Sequence, residues 1–272
     1  MIIMGTVWDR TTDFLGDKLA AIVPIALLAI FLPHVLGDFM AQAGMALGRP
    51  ALAAIRLALV LPALWGQLAI TALALDSEAG AAPARRRASG AFAGALLVMI
   101  VLAVALAALA APMAIVQGRD GMMAFLSNRS DAPAIDLSMG IKAFIGLYLL
   151  IFAVLALAVG VRLCLVYPLV VAERLALGAI ARSFVLTRRT TFKLIGVYLL
   201  FFLVFAVAGL ATRSVFGSIA ALIAPGTGPV TAAQVVVALL GGLVTTAFYV
   251  MLSAFAAKLY LAARGPGTVV PS

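Results

Sequence analysis

The residues best suited to do chemistry in this chain are few and lie far apart. The single histidine, His34, stands four positions before Asp38, so the two side chains share a face if the segment is helical. Such a pair could orient a general base, but no nucleophile or metal-ligand set accompanies it, and the sequence carries no nucleophile-elbow, zinc-protease or phosphate-loop motif. The single cysteine, Cys164, lies in an apolar run and fits a structural thiol. We therefore predict a non-enzymatic protein without cofactor or metal, in which His34 and Asp38 form a polar pair at the membrane interface.

An arginine within an apolar run is the second notable feature. Arg162 lies near the end of a long apolar segment. A charge at the centre of a bilayer costs about 2.5–3.5 kcal/mol on insertion scales, and less near the edge. Arg162 could snorkel to lipid phosphates, or it could bind an anionic substrate or headgroup. Gln67 and Thr71 lie four residues apart at a similar depth in another apolar run, so the three residues form a candidate intramembrane polar cluster.

A basic segment follows Arg162 along the chain. Apolar residues recur at helical spacing from Leu177 to Phe184 and predict an amphipathic helix along the membrane surface. Each basic residue near anionic lipid contributes about 1 kcal/mol of attraction, so this charge either fixes orientation or selects headgroups. The candidate headgroup contacts, beside Arg162 itself, are Arg182, Arg188, Arg189 and Lys193.

The same stretch resembles a bacterial family. Residues 168–174 (PLVVAER), 181–188 (ARSFVLTR) and 192–196 (FKLIG) are similar to the membrane domain found beside glycerophosphoryl diester phosphodiesterases, and to related six-span inner-membrane proteins. Phe184 stands where that family commonly has tryptophan, and Arg189 stands where glycine is usual. The resemblance implies a six-span fold in a bacterial inner membrane. It implies no activity, because the catalytic domain that gives the family its name is a separate module that this chain lacks.

The elements that must position these residues are apolar runs of bilayer length. The chain has 272 residues, of which 65% are hydrophobic and 11% charged, against about 25% charged in soluble domains. A helix needs about 20 apolar residues to cross a ~30 Å hydrocarbon core. Continuous runs, without the alternation of a membrane β-barrel, predict an all-α polytopic protein with a single integral membrane domain over residues 1–264 and a disordered tail, 265–272. The six predicted spans are 19–37, 52–75, 91–116, 141–168, 192–223 and 233–263.

Short polar or basic segments precede spans one, three and five and predict interfacial amphipathic helices there. Residues 1–18 carry three aspartates, so they lack the positive charge that a signal peptide requires. Each such segment leads into two spans, which suggests a possible threefold repeat over residues 1–75, 76–173 and 174–263. The longest predicted outer loop covers about residues 117–140.

The distribution of lysine and arginine predicts the orientation. Twelve basic residues fall on one side and six on the other, so the richer side is cytoplasmic and both termini lie there. The net charge of +9 then indicates contact with anionic lipid rather than with nucleic acid, because no nucleic-acid-binding module is present. The twelve are Arg10, Lys18, Arg85, Arg86, Arg87, Arg174, Arg182, Arg188, Arg189, Lys193, Lys258 and Arg264.

These observations favour a structural or accessory protein of the bacterial inner membrane that contacts anionic lipid headgroups at its cytoplasmic face. A small-molecule or lipid transporter with Arg162 and Gln67 in its cavity is the main alternative. A membrane enzyme of phospholipid metabolism is the third hypothesis, and the missing catalytic residues count against it.

Overall fold

The computed structural model describes residues 3–42, 49–127, 139–188, 190–223 and 231–264, which form helices joined by short turns. Within this part, six helical stretches are long and apolar enough to cross a membrane, as the sequence predicts. The predicted tail, 265–272, lies outside the described residues. The six candidate spans are Leu19–Met40, Ala54–Leu75, Ala81–Leu109, Ala143–Glu173, Thr191–Ala220 and Ala233–Arg264.

Several of the spans are built from more than one helix. Span one is α2 and α3, joined by a π-helical turn at Leu27–Phe31, and span five is α9 and α10, joined by a π-helical turn at Thr212–Phe216. Span four is α6 followed by α7. The helices are α1 Met4–Asp17, α2 Leu19–Ala26, α3 Leu32–Gln42, α4 Arg49–Leu75, α5 Ala81–Ser127, α6 Met139–Leu163, α7 Val166–Glu173, α8 Gly178–Thr187, α9 Thr191–Ala211, α10 Gly217–Ile223 and α11 Ala232–Arg264.

Proline explains the break in span four. The helix stops at Leu163, and Cys164 and Leu165 form a turn before α7 begins. Pro168 has no N–H to offer the carbonyl four residues earlier, and its ring clashes with that carbonyl, which belongs to Cys164. The helix of span four is therefore interrupted at the position where Pro168 cannot sustain the helical hydrogen bond.

Helix α4 is the centre of the bundle. It packs against α5, α11, α7 and the π-helical turn of span one. Its span is 56% buried, whereas spans three to six are only 11–17% buried, so their remaining apolar surface is available to lipid. Gly66 lets span one approach closely, because a Cβ at this position would lie only 2.8 Å from the Ala29 Cβ.

Two of the three predicted interfacial helices appear as separate elements, and the third does not. Helix α1 ends at Asp17 before span one, and α8 ends before span five. The basic segment before span three instead forms the first turns of α5, which starts at Ala81. Pro83 lies in the first turn, where its missing N–H breaks no helical hydrogen bond, so nothing separates this segment from the span.

Helix α5 also runs further at its other end than the sequence indicates. It continues to Ser127, so the first part of the predicted outer loop is helical, while residues 128–138 lie outside the described residues. Its 47 residues make a helix about 70 Å long, more than twice the ~30 Å core. Helix α5 must therefore extend beyond the hydrocarbon on at least one side.

Candidate functional site

One end of the bundle gathers most of the basic side chains that the sequence assigns to one side of the membrane. We call this the basic end: it comprises α1, the turn at residues 76–80, the turn at residues 174–177, α8 and the last turns of α11. Lys258 Nζ of α11 donates a hydrogen bond to the Ala74 carbonyl oxygen (2.8 Å) and lies 4.8 Å from the centre of the Phe14 ring of α1. Arg87 of α5 pairs with Asp76 at 2.9 Å. These contacts bring distant parts of the chain to one surface.

Arg162 connects the end of α6 to α8. Its carbonyl oxygen is among the last of α6, which have no partner within the helix, and it accepts a hydrogen bond from the buried Ser183 hydroxyl. Its guanidinium group lies 5.7 Å from the centre of the Phe184 ring, a cation–π distance. Arg162 is half-buried behind α8. The backbone and the side chain of Arg162 therefore both contact α8.

Gln67 and Thr71 are not brought to Arg162 by any hydrogen bond among the described residues. Both lie on α4, where Thr71 is buried and Gln67 is half-buried. The hydrogen bond that the sequence does not predict in this region starts two positions before Gln67, where Trp65 Nε1 donates to Ser89 Oγ of α5 at 3.1 Å. The polar cluster of Gln67, Thr71 and Arg162 stays a prediction, and the side-chain contact that the structure gives Arg162 is with Phe184.

Glu173 is the polar centre of the basic end. It accepts a hydrogen bond of 2.8 Å from the hydroxyl of Tyr260, whose ring is completely buried. Arg182 Nε lies 3.9 Å from the other carboxylate oxygen. Directly after Glu173, Arg174 takes a left-handed conformation (φ 52°, ψ 27°), which ends α7 and turns the chain toward α8. No local pattern in the sequence links Tyr260 to Glu173, 87 positions away.

Helix α8 turns small residues toward the bundle, while the larger residues of its predicted apolar face are not fully buried. Its buried residues are Ala179, Ser183 and Thr187, which are small and recur every four positions. Small side chains let α8 lie close to α6 and α7, and the Ser183 and Thr187 hydroxyls find backbone carbonyl acceptors. Leu177 remains 46% exposed. The larger apolar residues are therefore left at the edges and the outer face.

The outer surface of α8 and the start of α9 mix cations with exposed apolar groups. We call this the α8 surface: Arg182, Val185, Arg188, Phe192 and Lys193, all exposed. Phe192 is 90% exposed. The contact of Arg182 with Glu173 is long and the Arg182 side chain is half exposed, so this ion pair leaves the guanidinium available for other partners. Arg189, the remaining candidate contact, lies outside the described residues.

His34 contacts the backbone of its own span and an aromatic ring of α11. Its Nδ1 lies 2.9 Å from the Ile30 carbonyl oxygen, so Nδ1 is the donor in this contact. Its ring centre lies 5.3 Å from that of Tyr249, while Asp38 is exposed. Among the described residues, no group of three or more His, Cys, Asp or Glu side chains is arranged to hold a metal ion.

Comparison of the chain with protein-family models, with curated proteins and with solved structures finds no match.

Proposed function

We propose that this protein is a non-enzymatic integral protein of a bacterial inner membrane, which contacts anionic lipid headgroups through the α8 surface in a structural or accessory role. The observation that supports this proposal is the composition of that surface. Arg182, Arg188 and Lys193 are exposed beside Val185 and Phe192. Exposed apolar groups can enter the edge of the hydrocarbon while neighbouring cations contact lipid phosphates.

Arg162 adds a cation behind this surface. Because it is half-buried and stacked on Phe184, it loses little entropy when it meets a phosphate drawn in by the exposed cations. Its charge is also less screened by water than those of the outer residues. Arg162 would therefore set which headgroup binds, and the exposed cations would raise the local concentration of anionic lipid.

The proposal includes an orientation. The basic end faces the cytoplasm, as the excess of arginine and lysine there favours. The resemblance of residues 168–196 to a bacterial membrane-domain family supports the inner membrane as the location.

Native mass spectrometry of the detergent-purified protein with added phosphatidylglycerol tests this function. We expect the triple variant Arg182→Gln, Arg188→Gln, Lys193→Gln to bind the lipid at least tenfold more weakly, since each cation contributes about 1 kcal/mol. Arg162→Gln should reduce the preference for anionic over neutral lipid.

A matched control replaces Arg85, Arg86 and Arg174, which are exposed at the same end but belong neither to the α8 surface nor to any other proposed lipid contact, by glutamine. This variant loses the same three charges and should retain the lipid. Equal losses in the two triple variants would show that only net charge matters, and the α8 surface would then have no specific role.

A further inference from the structure

A cleft of about 310 Å³ opens at the basic end, beside the α8 surface rather than on it. Its walls are α1 and the turn at residues 76–80, and its floor is α11. This volume is at the lower limit for small-molecule sites, which start near 300 Å³. The charged and polar side chains that line it are Arg10, Asp13, Asp17, Lys18, Ser77 and Lys258.

Among the described residues, the carboxylates and the cations that line this cleft form no close ion pairs with one another. The cleft has three cationic and two carboxylate side chains, and within the described part of the chain none of these carboxylates pairs with a cation inside 4.0 Å. Lys258 is fixed in place by the Ala74 carbonyl and the Phe14 ring. Asp13 and Asp17 stand one helical turn apart on α1, so their charges add on one wall.

This mixture of charges discriminates between ligands. A purely anionic group would be repelled by Asp13 and Asp17. A purely cationic group would be repelled by Arg10, Lys18 and Lys258. A ligand that carries a phosphate and an ammonium a few bonds apart satisfies both sets, because phosphate accepts from the cations while a primary ammonium donates to carboxylates. A quaternary ammonium has no N–H to donate and fits less well.

The surroundings of the cleft favour a lipid as the source of such a ligand. Span one begins directly after Lys18, and its first apolar side chains are exposed: Leu19 is 57% and Val23 is 40% exposed. These two residues are four positions apart, so they form one apolar strip along the helix. An acyl chain can follow this strip while its headgroup occupies the cleft.

We propose that the cleft between α1 and α11 binds the phosphoethanolamine headgroup of an aminophospholipid. Arg10 and Lys18 hold the phosphate, Lys258 supports it from the floor, and Asp13 and Asp17 receive the ammonium. The site takes a zwitterionic headgroup, so its ligand differs from that of the α8 surface.

The test is native mass spectrometry of the full chain with three lipids of identical acyl chains: phosphatidylethanolamine, phosphatidylglycerol and phosphatidylcholine. We expect the wild type to retain the ethanolamine lipid best at this site. Asp13→Asn with Asp17→Asn should weaken that binding about tenfold, since hydrogen bonds to charged groups are lost, and should shift the preference to phosphatidylglycerol. Arg10→Gln should weaken all three lipids.

The matched control is Asp9→Asn with Glu78→Gln. Both residues are exposed near the cleft but do not line it, and the double change removes the same charge. Thermal unfolding of each variant shows whether it folds, and neither pair should alter stability much because the residues are exposed. The proposal is supported if the variant Asp13→Asn with Asp17→Asn prefers phosphatidylglycerol to phosphatidylethanolamine and the control variant does not.

Two outcomes would overturn it: unchanged retention of phosphatidylethanolamine after loss of Asp13 and Asp17, or an equal loss in the control pair. Free phosphoethanolamine, added in millimolar excess, separates the two sources of this chemistry. Displacement of the lipid would assign the site to the soluble compound, and persistence would assign it to the lipid. The triple variant of the α8 surface should leave this binding intact, so the two proposals can fail independently.

Discussion

Gly242 shows how tightly single residues are fitted where span six meets span one. A Cβ at this position would lie 2.6 Å from Val35 Cγ2 and 3.3 Å from the Phe31 ring, closer than packed atoms approach. A Cβ at the neighbouring Gly241 would have no atom of another described helix within 4 Å. Two adjacent glycines of one helix therefore have different roles, and only their environment separates them.

We expect Gly242→Ala to lower the free energy of unfolding by about 1–3 kcal/mol, because Val35 and Phe31 must shift to admit the methyl group. Gly241→Ala should remain within about 0.5 kcal/mol of the wild type. Thermal unfolding of both variants in the same detergent measures the difference. Equal stability of the two variants would contradict the close contact between α11 and span one.

Some residue-level features follow from sequence and others do not. The break before Pro168 is predictable because proline acts on its own helix. The bond between Tyr260 and Glu173 is not, because it depends on how α7 and α11 pack. The candidate cations Arg182, Arg188 and Lys193 are exposed, as is usual for charged side chains. The contact of Arg162 with Phe184 depends on how α8 packs against α6, which the sequence does not specify.

At the scale of elements, α8 is the helix whose placement depends most on a few polar contacts. Its inner face is small and partly polar, so little apolar burial holds it to the bundle. Apolar spacing predicts the helix itself but does not tell which face meets the bundle, since near a membrane large apolar side chains can face lipid instead of protein. Composition likewise could not show that α5 continues through its basic first turns. Such continuation requires only that no proline interrupts these turns after the first one.

Ser183→Ala should loosen α8 without disturbing the spans. The substitution leaves the Arg162 carbonyl oxygen without its donor, at a cost of about 1–3 kcal/mol. Hydrogen–deuterium exchange of residues 178–187 should become faster, while that of α4 stays slow. Ser214→Ala is the control, because Ser214 is exposed and bonds within its own helix, to Leu210. Unchanged exchange in α8 would mean that this contact does not hold the helix.

At the scale of the whole molecule, the six-span architecture is the part that sequence predicts best. Spanning length and apolar composition are properties of each run alone, so no knowledge of tertiary contacts is needed. The central position of α4 was not predictable, because its composition differs little from that of its neighbours. The gathering of cations at one end follows from the alternating direction of successive spans.

Labelling of engineered cysteines in a Cys164→Ala background tests the predicted orientation. Glu78→Cys lies at the basic end, and Met139→Cys lies at the start of α6, where the side chain is 85% exposed. A membrane-impermeant maleimide should label Met139→Cys in intact spheroplasts and should label Glu78→Cys only after permeabilisation. The reverse pattern would place the basic end outside.

The packing of α1 on α11 has a consequence for biosynthesis. Helix α1 leaves the ribosome early, but α11, the helix against which it packs most extensively, is the last span to be inserted. Until then α1 lacks this partner, and Lys258, the cation beside the Phe14 ring, does not yet exist. Docking of α1 on α11 therefore reports that the sixth span is in place, and a chain without this span leaves the face of α1 that meets α11 uncovered.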